Sequence, residues 1–200
     1  MSTVLRTITA ASLVLLLVLG VCAQEKKYDI KSGIVTLDVI IDVGKMKITN
    51  RMIVSFDEYG MKECRESYEE GKLRETFFSD GTSLWTLIHR NKEAYHRGVA
   101  TRGTELRVSW EDVPEKDKKE GKAKLLAPMT IAGRKCDAFM MVTSNGNVTY
   151  AGWKNVLLFM GLESKDMKMV TRAVKFDEHA PVPAAKFTVP AGYTKKQSLY

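Results

Sequence analysis

Between positions 35 and 43 the chain alternates. Val35, Leu37, Val39, Ile41 and Val43 point one way, and Thr36, Asp38, Ile40 and Asp42 the other. Period two is the pattern of a half-buried strand. Gly44-Lys45 supplies a turn. Met46, Ile48, Met52, Val54 and Phe56 then alternate with Lys47, Thr49, Arg51, Ile53 and Ser55, with Asn50 interrupting the apolar row. The two runs predict a hairpin. Turn residues at Glu58-Tyr59-Gly60, Glu70-Gly71, Ser79-Asp80-Gly81 and Arg90-Asn91-Lys92 separate further strands over 62–69, 72–78, 83–89 and 93–98. Strands about 10–12 residues apart with Gly-containing turns predict an antiparallel meander.

The pattern breaks near Trp110. Residues 111–124 are mostly charged and predict a surface loop or a short helix with Pro114 in its first turn. Strand signals return over 135–143. The turn Ser144-Asn145-Gly146-Asn147 follows, where Asn-Gly suits a tight hairpin. Further strands are predicted over 149–153, 156–161 and 167–176, with a last short one over 187–189. Pro181, Pro183 and Pro190 confine that end to an edge or extended chain. Phe139-Met140-Met141-Val142 and Val156-Leu157-Leu158-Phe159-Met160 are apolar on both strand faces, so they must be covered twice or must hold something.

The first 23 residues stand apart. Arg6 precedes an apolar run over 10–21, which closes on Val21-Cys22-Ala23 and then polar Gln24-Glu25-Lys26-Lys27. A charged start, an apolar stretch of about a dozen residues and a small-residue cut describe a secretory signal. The run falls short of the ~20 apolar residues of a membrane span. Residues 1–23 are therefore expected to be removed after Ala23, leaving 24–200 as one β domain that is periplasmic or secreted. Leu19-Gly20-Val21-Cys22 leaves an alternative open, a lipid-anchored protein beginning at Cys22.

Charge and chemistry narrow the function mainly by exclusion. Of 200 residues, 31 are basic and 24 acidic, a formal net charge of +7. The excess is modest and favours anionic partners slightly, but nearly every Lys-rich stretch also carries Glu or Asp, the pattern of a solvated mixed surface. No basic helical stripe, aromatic RNA-binding signature or zinc-finger spacing points to nucleic acid. The histidines His89, His96 and His179 carry no ligand pattern, so neither a metal nor a cofactor is expected. No nucleophile elbow, zinc-protease motif or phosphate loop is present, and the protein is expected not to be an enzyme. Beyond Cys22 the cysteines are Cys64 and Cys136. In an oxidising compartment these two form one expected disulfide, with two free buried thiols as the alternative.

Ten methionines are many for this length. Their flexible, polarizable side chains suit a surface that adapts to apolar ligands, as well as an irregular core. The expected ligand-binding row is Val39, Ile41, Met46, Ile48, Met52 and Val54, continued by Trp85 and Leu87 and completed by Met141 and Phe159. An apolar groove along such a row is a default binding site.

Several ordered motifs carry a resemblance. Ile30-Lys31-Ser32-Gly33-Ile34-Val35-Thr36, Phe56-Asp57-Glu58-Tyr59-Gly60-Met61-Lys62-Glu63, Ile131-Ala132-Gly133-Arg134-Lys135-Cys136 and Lys186-Phe187-Thr188-Val189-Pro190-Ala191-Gly192-Tyr193 resemble successive elements of a family of exported bacterial proteins of unknown function. That family in turn resembles the lipoprotein carriers of the LolA and LolB type. Ser79-Asp80-Gly81-Thr82-Ser83-Leu84-Trp85 is similar to the carriers' D-G-x-x-L-W strand. The resemblance implies a mainly β fold, a strongly curved antiparallel sheet forming an open half-barrel with one or two short helices, and acyl chains held in its concave face. The expected function is a non-catalytic envelope protein that binds an apolar or acylated ligand, with contacts to the membrane surface or to envelope proteins. The alternative is a structural or protein-interaction module whose core is filled by its own side chains.

Overall fold

The computed structural model describes residues 26–100 and 107–197. The expected signal segment and Cys22 lie outside the described residues. The described chain is mainly β. Its strands are β1 (Gly33–Val43), β2 (Met46–Asp57), β3 (Lys62–Glu69), β4 (Lys72–Ser79), β5 (Ser83–Ile88) and β6 (Glu93–Val99), followed by β7 (Ala123–Ile131), β8 (Arg134–Thr143), β9 (Gly146–Trp153), β10 (Val156–Glu163), β11 (Lys168–Glu178) and β12 (Thr194–Gln197). They form one unclosed, curved sheet in the order β12-β6-β5-β4-β3-β2-β1-β11-β10-β9-β8-β7. All neighbours are antiparallel except β12, which runs parallel to β6. The long-range closure is β1 against β11, with Val35 opposite Phe176 and Ile41 opposite Met169. Curvature is visible where Arg172 of β11 donates to the Thr130 carbonyl of β7 at 3.5 Å. In a flat sheet those strands would stand about 19 Å apart, four spacings of ~4.8 Å.

Two elements differ from the sequence expectation. Strand β7 was hidden because Leu125, Leu126 and Ala127 do not alternate and Pro128 interrupts the run. It sits at a sheet edge, where proline costs no ladder bond, and an irregularity between Leu126 and Met129 absorbs it. The strand expected over 187–189 is instead the end of a 3-10 turn, Ala184–Phe187, and the last strand lies further on at Thr194–Gln197. Within the charged stretch, a 3-10 turn at Trp110–Asp112 precedes the single α-helix among the described residues, α1 (Glu115–Lys119).

A strap crosses one end of the sheet. Lys27 and Tyr28 donate backbone hydrogen bonds to the Tyr59 carbonyl, and Asp29 donates to that of Lys154. The strap thereby links the β2–β3 turn to the β9–β10 turn. Tyr28 and Ile30 are buried, and the Tyr28 ring lies 4.6 Å from that of Phe56. Gly60 makes this possible. A Cβ there would meet the Tyr28 ring at 2.6 Å, and its φ of +85° suits glycine. A charged group anchors the strap from beneath. Glu63, 3% exposed, receives the Lys27 ammonium, the Tyr28 hydroxyl at 2.7 Å and the Arg65 guanidinium at 2.6 Å. Burial would raise its carboxyl, but Lys27 and Arg65 outweigh that and hold it below the usual carboxylate range. Burial and the neighbouring Glu63 push the Tyr28 hydroxyl up, which keeps it a donor.

The core is divided. One cluster gathers Val35, Leu37, Val54, Phe56, Phe139, Ala151, Leu158 and Phe176 with the strap and the 107–113 segment. The other gathers Cys64, Phe78, Leu87 and Ala94 beneath Phe187. Across β1 to β5 register places the two on opposite faces of the sheet, whereas in β8 and β9 the first cluster has members on both faces, Phe139 beside Tyr150 on one and Ala138 beside Ala151 on the other. Val54 lies opposite Val35 on one side and Arg65 on the other, whereas Cys64 lies opposite Ser55 and Phe78. Directly opposed residues share a face. The face that is packed core on β1 and β2 therefore carries Arg65, Phe77 and Thr86 on β3 to β5. The second core uses the reverse side.

Candidate functional site

Following register outward from β1 reveals a continuous apolar row. Ile48, Ile41, Met169, Leu162, Val148, Met141 and Ala123 lie opposite one another in turn across β2, β1, β11, β10, β9, β8 and β7. Beside it runs a second row, Asn50, Val39, Thr171, Met160, Tyr150, Phe139 and Leu125, with only Asn50 and Thr171 polar. Seven strands thus present one apolar floor.

Cover over this floor is uneven. Val108 stands over Gly152, where a Cβ would meet it at 3.1 Å, and the Trp110 ring lies 5.7 Å from Phe139. Phe139 in turn lies 5.4 Å from Tyr150. The 107–113 segment therefore roofs the β8–β9 part. It is tied down by the Val108 amide donating to the Asn155 carbonyl and by Arg107 with Asp112 at 2.8 Å. Lys118 of α1 sits 5.0 Å from the Trp110 ring. At the other end the cover stops. Ala123 is 4% exposed, whereas Ile48 is 43%, Val43 45% and Met46 64% exposed. The first row is covered at Ala123 and open at Ile48, while the second row ends on Leu125, 60% exposed at the β7 edge.

The expected ligand row divides accordingly. The structure brings Val39, Ile41, Met46, Ile48, Met52, Val54 and Met141 onto one face, with Val54 sealed in the core and Met46 open. Trp85 and Leu87 do not join them. They lie opposite Phe78 and Thr76 on the reverse face, within the second core. Phe159 also points to the reverse side, opposite Arg172 and Ala151. One residue of shift in pairing moves a whole strand to the other face, and the β2–β3 connection sets that shift here. Met169, Leu162, Val148, Tyr150 and Met160 escaped the sequence reading. Their signal was present as alternation in β9 to β11, but which face it joined depended on the β1–β11 pairing.

The expected disulfide is corrected as well. Cys64 belongs to the second core and Cys136 to the first, and both are free and buried. Burial, reinforced by nearby Glu66, pushes the Cys64 thiol up to about 12, and burial also raises Cys136. Neither has the character of a nucleophile. His89 is held between the Thr76 hydroxyl at 2.8 Å and the Tyr193 hydroxyl at 2.6 Å, so its two ring nitrogens bridge β4 to the C-terminal segment. Among the described residues no group of three or more His, Cys, Asp or Glu is placed to hold a metal.

A separate groove of about 430 Å³ lies mostly on the reverse face of β1, β2 and β3, lined by Asp38, Thr49, Arg51, Ile53 and Tyr68 among others. Arg51 and Asp38 pair within it at 3.2 Å. Polar, ion-paired walls do not suit a hydrocarbon chain, because such a chain would displace water from charges and give nothing back. The apolar floor has the matching chemistry.

No known family model matches the chain, and no curated protein does. Solved structures do. An uncharacterized conserved protein from Thermus thermophilus superposes with a TM-score of 0.56 at 7% identity, covering 84% of this chain and 91% of that one. A LolA superfamily protein from Nitrosomonas europaea gives 0.39 at 9% identity, covering 80% and 91%. The MucA/MucB complex of Pseudomonas aeruginosa gives 0.48 at 9% identity, covering 82% of this chain and 57% of that one. The likeness is one of fold.

Proposed function

We propose that this is an exported, non-catalytic envelope protein that holds an apolar or acylated ligand along the floor from Ile48 to Met141. The observation that carries the reading is the floor itself: seven strands, one apolar row, roofed at one end and open at the other. A hydrocarbon chain laid there gains about 25 cal/mol for each Å² of apolar surface removed from water. The methionines of the row, Met141 and Met169, adapt to chains of varied shape. The N-terminal segment supports export to a periplasmic or extracellular location, and the reading needs no cofactor.

Titration with a fluorescent fatty acid tests this. Wild type should bind saturably. Ile41→Glu, half-buried beside the open end of the row, should abolish the binding while the fold survives, and Lys119→Glu on α1 should leave it unchanged. A folded wild type without saturable binding would sink the reading. A second reading, a protein-interaction module with a self-filled core, is favoured by one observation: Val108, Trp110 and Phe139 already fill the β8–β9 part of the floor. It predicts no probe binding and an unchanged fold.

A further inference from the structure

We propose that the β1–β2 hairpin end of the sheet docks on an anionic lipid bilayer. Three apolar side chains, Val43, Met46 and Ile48, stand exposed at this tip on a single face. Lys45 occupies the turn between them, and Lys47 points to the other face. Lys165, in the β10–β11 turn at the same end of the sheet, is also exposed. Among the described residues none of these three lysines is held in an ion pair. Asp42 lies opposite both Lys47 and Lys168, and Glu163 and Asp166 belong to the same end, so Lys45, Lys47, Lys165 and Lys168 there outnumber three carboxylates by one.

This composition selects the partner. An exposed apolar patch marks an interaction site. Here the patch is a narrow wedge of three side chains, far below the roughly 800 Å² per partner of a stable protein interface. A wedge needs only to sink among acyl chains. Lysine stems lie along the apolar boundary while their ammonium groups reach the phosphates. Each lysine near an anionic surface strengthens binding by about fivefold. The wedge also continues directly into the apolar floor, since Ile48 belongs to both. The tip stands independently of whether the floor holds a ligand.

Co-sedimentation of the full exported chain tests the proposal. The vesicles are mixed phosphatidylglycerol and phosphatidylcholine, with phosphatidylcholine alone for comparison. Wild type should pellet with the anionic vesicles and be released as salt screens the attraction. Lys45→Glu/Lys47→Glu should weaken partitioning at least about twentyfold, and Val43→Glu should do likewise. Lys135→Glu, exposed at the opposite end of the sheet, should change it by less than about twofold. All substitutions are at exposed positions, and matching unfolding midpoints confirm the fold. Absence of wild-type binding overturns the proposal, as does an equal loss in Lys135→Glu. A self-associated wild type that Val43→Glu renders monomeric also overturns it, by assigning the tip to a second copy. Fatty-acid titration of Lys45→Glu/Lys47→Glu without vesicles separates the two functions: unchanged probe binding with lost vesicle binding isolates the tip. Vesicle binding without probe binding retains the tip and removes the proposed function.

Discussion

The two parts of the sheet are amphipathic in opposite senses. In β1 and β2 the packed face carries Val35 and Leu37, and in β8 and β9 Phe139 shares that face while Ala138 and Ala151 are buried behind it; cover comes from the strap and the 107–113 segment. In β3 to β6 the packed face is the reverse one. Its cover is the C-terminal segment, with Phe187 over Cys64, Phe78, Leu87 and Ala94, and Lys186 paired with Glu66 at 2.6 Å. The second part is closed by a clasp that fits its small core. The first has more apolar floor than cover, and the surplus emerges at β2. A continuous sheet can thus keep one region purely structural and leave another with a surface to spare.

The largest test of this division is a matched pair of truncations. Phe56→Ala and Phe78→Ala each remove a buried ring and should cost about 4 kcal/mol in denaturant unfolding. If the cores are distinct, Phe78→Ala should speed amide exchange in β4 to β6 well before β1 and β11. Equal acceleration everywhere would erase the distinction. Next comes the strap. Lys27→Met leaves Glu63 buried with one cation fewer and should cost about 3 kcal/mol. The sign with pH follows from the depressed Glu63 carboxyl. Its contribution is full above the ordinary value of about 4.3 and disappears as pH falls through the lower folded value. Lys27→Met should flatten that acid limb, and an unchanged limb would show that other carboxylates govern it.

Smaller effects sharpen the contrast. Cys64→Ala and Cys136→Ala each trim one core and should cost about 1 kcal/mol. A bond between them would instead make either loss worth about 4 kcal/mol. Thiol titration of unreduced, denatured protein should find both groups free. Smallest of all, Met46→Ser at the open end should change stability by less than about 0.5 kcal/mol, while Leu37→Ala, on the same face and strand pair, should cost about 3 kcal/mol. Similar values for both would mean that the open end is packed in solution.

Alternation within a strand was legible in the chain. The pattern from Val35 to Phe56 identifies both strands of the first hairpin and the face they share. What alternation cannot give is parity between strands. Trp85 and Leu87 alternate as well as Ile41 does, yet they belong to the other face because Ser55, not Val54, lies opposite Cys64. Met141 joined the row through successive pairings that no local signal encodes. Strand β7 stayed hidden for a related reason, since an edge strand with one covered face tolerates Pro128 and adjacent leucines. The hairpin turn also moved by one step. Gly146 opens β9 rather than centring the turn, and it is glycine because a Cβ would strike the Glu163 carbonyl at 2.2 Å.

The pairing of β1 with β11 also sets a clock. Val35 meets Phe176 only after the intervening chain has been made. At roughly 5–20 residues per second that delay is on the order of ten seconds. Until then β1 has β2 beside it and nothing on its other edge, and the strap has no β9–β10 turn to grip. Contacts so distant in sequence make folding slow relative to local structures. A polypeptide built this way forms its early hairpins one by one but joins its two halves only when nearly all of it has been made.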